Sequence, residues 1–102
     1  MYADLELKRE RVAELCRRFG VLRLDVFGSA VRDDFDPERS DIDLLVRLED
    51  VPPVEYSRHY FDLKEALERL LGRRVDLVTE PSLANPFFKA RVLHERQPIY
   101  AR

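Results

Sequence analysis

A chain of 102 residues with 45% hydrophobic and 37% charged residues has the size of one small domain, residues 1–102, whose core is modest because such chains bury only about 60–70% of their unfolded surface. A formal net charge of −2 excludes a broad basic face of the kind that binds nucleic acid. The single Cys16 excludes an internal disulfide, and the lack of a secretory signal or of an apolar run approaching about 18 residues makes the cytoplasm the expected compartment, with no membrane partner.

The first predicted element is a helix over Asp4 to Phe19, with Leu5, Val12, Leu15, Cys16 and Phe19 at helical spacing and Gly20 ending the run. Cys16 falls on its apolar side and is read as a buried thiol. Lys8 to Arg11 and Arg17-Arg18 form its solvated face. Val21 to Phe27 reads as a strand with Leu22, Leu24 and Val26 on one face, followed by the turn Gly28-Ser29 and a short helical stretch, Ala30-Val31-Arg32. Asp33 to Arg39 is a loop with Asp and Pro turn chemistry, expected to be a solvated turn.

Asp41 to Leu48 alternates Ile42, Leu44, Val46 and Leu48 with Asp41, Asp43, Leu45 and Arg47, the period of a strand. Pro52-Pro53 stop it. Glu55 to Leu71 then repeats Tyr60, Leu63, Leu67, Leu70 and Leu71 at helical spacing, with Gly72 as C-cap. Tyr56, Tyr60 and Phe61 suit a nucleobase platform or a partner face, but aromatics on an amphipathic helix are read first as core. Val75 to Val78 is another short strand, Pro81 and Pro86 frame a loop, and Phe87 to Glu95 is a short helix whose Phe87-Phe88 suit an exposed patch for a partner but are read first as buried against the sheet. Gln97 to Ala101 suits an edge strand, where Pro98 is tolerated. His59 and His94 stand in no metal-ligand spacing.

Chemistry concentrates at three places. A strand, a Gly-Ser turn and a helix start together aim backbone N–H groups and a hydroxyl at an anion, and Gly28 lets the backbone approach a phosphate closely. Asp41 and Asp43 point to one face of their strand; at about 6 Å and an effective dielectric near 20 their charges repel by on the order of 3 kcal/mol. Either they are the wet face of a half-exposed strand, or a divalent cation offsets that repulsion. A third acid, Asp76, sits inside the apolar run Val75-Asp76-Leu77-Val78.

Gly28-Ser29, Asp41-Ile42-Asp43 and Asp76 in this order resemble the active-site pattern of the DNA polymerase beta superfamily of nucleotidyltransferases. The chain most resembles the minimal nucleotidyltransferases, MNT-domain proteins that often act as antitoxins to HEPN-domain toxins. The resemblance runs from about Leu22 to Tyr100, with eleven residues between Ser29 and Asp41, one more than the family pattern most often has; the extra residue falls in the acidic loop, where insertion is cheap.

The resemblance implies an α/β (α+β) polymerase-beta-like fold, a small mixed sheet packed by helices. By the same resemblance Gly28 and Ser29 hold a triphosphate and Arg32 neutralises phosphate charge. Asp41 and Asp43 ligate two Mg²⁺ ions, and Asp76 completes the catalytic metal site beside the acceptor hydroxyl. The implied reaction transfers AMP from ATP onto a hydroxyl of a partner protein, a HEPN-domain toxin that is thereby neutralised, in a hetero-oligomer. The alternatives are an antitoxin that acts by binding alone and a small-molecule nucleotidyltransferase of the aminoglycoside type.

Overall fold

The computed structural model describes residues 1–32 and 34–102; Asp33 of the predicted acidic loop lies outside them. The chain opens with two helices, α1 (Ala3–Leu7) and α2 (Arg9–Arg18), rather than one. The break falls at Lys8, at φ −99° and ψ 12°, whose ammonium bonds Asp4 and the carbonyl of Leu70, both at 3.1 Å. The turn redirects α1 so that Leu5 reaches the core as completely as Val12 and Cys16 do.

Four strands follow: β1 (Val21–Phe27), β2 (Ile42–Leu48), β3 (Val75–Val78) and β4 (Gln97–Ala101). They form one sheet in the order β3-β2-β1-β4. β1 pairs antiparallel with β2 and with β4. β3 lies parallel to β2, so a long crossover is required, and α3 (Pro53–Leu71) supplies it. Pro53 occupies the first turn of α3, where the missing N–H is harmless, and Gly72 ends the helix at φ +66° with its N–H on Glu68 O, a left-handed cap that favours glycine.

One face of the sheet carries Leu24, Val26, Ile42, Leu44 and Val46, which pack with Leu5, Val12, Cys16, Leu63 and Leu67 of α1, α2 and α3 into the main core. Burial pushes the Cys16 thiol up to about 12, which makes it inert as a nucleophile. Leu22 departs from the predicted alternation: the β1–β2 register shifts between Val21 and Arg23, so Val21 takes the buried place and Leu22 is half-buried.

The opposite face carries Asp25, Phe27, Asp43 and Leu45. A smaller apolar cluster of Phe27, Leu45, Leu83 and Val92 covers its middle, held by α4 (Pro86–Glu95) and a 3-10 turn at Glu80–Ser82. Asn85 caps α4, its side-chain oxygen accepting from the amides of Phe87 and Phe88 at 2.9 and 3.1 Å. Among the described residues no helix is long and apolar enough to cross a membrane.

Candidate active site

β1 ends at Phe27, and the chain turns through a single 3-10 turn, Gly28–Ala30. Gly28 stands at φ +72°, and a Cβ there would run into the Asp43 carboxylate; the position therefore requires glycine both for its backbone and for its clearance. The turn is closed by the amides of Val31 and Arg32 on Gly28 O at 3.1 and 3.2 Å. Ser29 lies within it, half-buried. Arg32 follows the turn and projects back toward the end of α4.

The sheet register brings the acids together. Phe27 pairs with Asp43 across β1 and β2, and Asp43 pairs with Asp76 across β2 and β3. Gly28, Arg32, Asp43 and Asp76 line one cavity of about 130 Å³, with Phe27, Phe88, Arg91 and Glu95. Asp41 stands just outside β2 and is exposed, and neither it nor Ser29 is among the lining residues. Burial first, then the charges of Asp76 and Asp41, push the Asp43 carboxyl up to about 6, with Arg32 opposing. Among the described residues no three His, Cys, Asp or Glu side chains stand close enough to hold an ion by themselves.

The site holds residues that carry no motif signal. The Glu95 carboxylate, last residue of α4, accepts from the Gly28 amide at 2.9 Å and from Arg32 Nη1 at 3.1 and 3.0 Å. Hydrogen bonding to Glu95, more than to Asp34, raises the Arg32 guanidinium above its ordinary range. A second unsignalled residue is Arg73, whose guanidinium carbon lies 5.2 Å from the ring centre of Tyr2 and 5.0 Å from that of Phe35. Its Nη1 donates to the carbonyl of Ser40 at 3.3 Å, fixing the residue before Asp41. A third is Asp25, buried at 1% exposure and paired with Arg23 Nε at 2.9 Å and Arg96 at 3.5 Å; it anchors the chain immediately after Glu95.

The aromatic residues divide. Tyr56 and Tyr60 pack against the main core as expected, Tyr60 O–H donating to Leu77 O at the outer edge of β3. Phe61 is 64% exposed, and Phe87 and Phe88 are 85% and 47% exposed, which corrects the expectation that this pair is covered by the sheet. Only Val92 of α4 is fully buried, so α4 presents its Phe-Phe end to solvent beside the cavity.

A family model described as a nucleotidyltransferase domain matches residues 8–99. The chain belongs to that family. This nucleotidyltransferase is 46% identical over 82 residues to the protein adenylyltransferase MntA of Thermococcus cleftensis, covering 80% of this chain and 78% of the relative. A solved structure described as a minimal nucleotidyltransferase superposes with a TM-score of 0.77 at 42% identity, covering 96% of each chain. A toxin–antitoxin crystal structure with AMP-PNP superposes at 0.69, 22% identity, covering 92% of this chain and 73% of that one, and so shares the fold. The mixed four-stranded sheet packed by helices is thus the nucleotidyltransferase fold, and the chain is an enzyme of that class.

Proposed function

We propose that this nucleotidyltransferase moves AMP from ATP onto a hydroxyl, a tyrosine side chain, of a partner HEPN-domain toxin in the cytoplasm, neutralising it. The observation that carries the reading is the meeting of Gly28, Asp43 and Asp76 around one cavity on adjacent strands. A relative named as a protein adenylyltransferase at 46% identity supports a protein acceptor, and a toxin–antitoxin member of the same fold supports a toxin as that partner.

Each residue then has a task. The Gly28 amide, the Ser29 hydroxyl and Arg32 hold the β- and γ-phosphates, and Asp76 on the edge strand orients the acceptor hydroxyl and takes its proton. The hydroxyl oxygen bonds to the α-phosphorus while the bond from that phosphorus to the bridging oxygen breaks, and pyrophosphate leaves with the electron pair. The donor set of Asp41, Asp43 and Asp76 is all oxygen, and the charges of Asp76 and Asp41 add to burial in raising Asp43, which suits Mg²⁺, an ion that takes one or two carboxylates and completes its shell with substrate phosphates. Two such ions, when bound, acidify the acceptor hydroxyl and neutralise charge on the departing pyrophosphate.

The test follows label from α-³²P-ATP and γ-³²P-ATP into protein, using the purified chain with Mg²⁺ and an extract of the source cell. The expected result is α-label on one discrete protein, lost in the Asp41→Asn/Asp43→Asn double variant. Transfer of γ-label alone overturns the reaction in favour of kinase chemistry. A partner that co-purifies without taking label replaces it with silencing by binding.

A further inference from the structure

Glu95 already occupies the groups assigned to phosphate. Its carboxylate sits on the Gly28 amide and on Arg32 with the geometry of a bound anion, at 2.9 to 3.1 Å, and its side chain is only 17% exposed. Within α4 its one partner is Arg91, a turn earlier and only at 3.8 Å, so its closest contacts lie outside the helix. The last turn of a helix carries the negative end of the macrodipole, so a carboxylate at its final residue is unfavourable. Its charge also falls on Asp43, adding to the repulsion there. A residue that works against its own helix and against the neighbouring acid, yet is held by three donor contacts, is placed for the anion site rather than for the fold.

We propose that Glu95 is a built-in anion that competes with the nucleotide for Gly28 and Arg32, so that the site opens to a polyphosphate tail and stays closed to single small anions. The inference rests on the assignment of Gly28 and Arg32 to phosphate binding. Glu95 is tethered beside its donors and replaces a free anion without the cost of association; orthophosphate has to meet that cost for these two partners alone, whereas a diphosphate or triphosphate tail carries more charge and makes contacts beyond Gly28 and Arg32, and so displaces it. A second cation stands ready for the displaced side chain. Arg91, one turn earlier on α4, lies 3.8 Å from Glu95 Oε2 and lines the same cavity, so Glu95 exchanges Arg32 for Arg91 without being stranded.

The probes are ATP, pyrophosphate and orthophosphate, titrated calorimetrically into the full chain with Mg²⁺. In Glu95→Gln the amide keeps the side chain's shape and one acceptor for Gly28 but loses the charge on Arg32. The expected result is that ATP and pyrophosphate bind about tenfold more tightly than to the wild type, and that orthophosphate binding becomes measurable. Glu95→Asp, one methylene too short to hold both partners, moves the same way, and a larger pyrophosphate-induced rise in Tm in either variant supports the same conclusion. Unchanged or weaker binding in both folded variants overturns the inference, weaker binding placing Glu95 among the nucleotide's own contacts. A wild-type chain that binds neither ATP nor pyrophosphate, with the variants equally inert, sinks the nucleotidyl-transfer reading itself.

Discussion

At the scale of single residues, the proposed role of Asp43 is set against stability. Its carboxyl is raised from 3.8 to about 6, so the folded chain binds this proton more tightly than the unfolded chain does. The penalty for keeping Asp43 ionised is absent below pH 3.8, grows as pH rises from about 4 to 6, and is complete above 6. Asp43→Asn removes it. Because Asp43 is half-buried and partly screened, we expect a gain of about 1–2 kcal/mol in unfolding free energy at pH 7.5, shrinking toward zero at pH 4, as read by urea unfolding at the two pH values. The same variant loses labelled transfer.

The strand that holds Asp43 and the turn at Gly28 were legible in the sequence because a period of two and a Gly-Ser turn are local patterns, whereas the place of Asp76 beside them was implied by the family resemblance alone. Glu95 was not, since its partners stand at Gly28 and Arg32, far away in the chain, and only the poor placement of an acid at a helix end hints at it. The burial of Asp25 was equally hidden; its one local clue is Arg23, two residues earlier and therefore on the same face of β1.

Among the elements, the segment that carries Asp41 to the site is held from outside by Arg73. Tyr2 and Phe35 stack 4.2 Å apart and the Arg73 guanidinium lies over both rings, so the N-terminus, the acidic loop and the start of β3 are fastened at one point. Arg73→Met keeps the bulk but loses the cation over the rings and the bond to Ser40 O. It should lower stability by about 1 kcal/mol and, by loosening Asp41, reduce kcat about tenfold. Steady-state kinetics with thermal unfolding checks both, and Arg73→Lys should restore less than half of the lost rate, because an ammonium does not reproduce the planar stack. The order of helices and strands was readable from periodicity and from Gly20, Gly72 and the prolines. The orientation of α4 was not: Phe87, Phe88, Val92 and Leu93 leave apolar groups on more than one side, so no single face is marked for the sheet, and the sheet takes Val92.

For the molecule as a whole, the exposed Phe87 and Phe88 stand where the proposed acceptor protein must approach. Phe88 lines the cavity with Asp76, and its ring meets Phe27 edge-on at 6.4 Å, while Phe87 points outward. Phe87→Ser should leave stability within about 0.5 kcal/mol and ATP affinity unchanged, and should lower kcat/KM for the protein acceptor about tenfold, in the range of an aromatic contact at an interface. Titration of ATP and of acceptor separately distinguishes the two effects.

The parallel pairing of β2 with β3 bears on how the enzyme is made. β1 and β2 are close in the chain, whereas β3 reaches β2 only across the whole of α3, so the meeting of Asp76 with Asp43 is a non-local contact of the kind that forms slowly. On the proposed function, a chain whose β3 has not yet docked is therefore blind to nucleotide. By the same proposal, ATP slows the unravelling of the folded chain but has little to grip while it folds, so a cell's nucleotide pool prolongs the life of the finished molecule without hastening its birth.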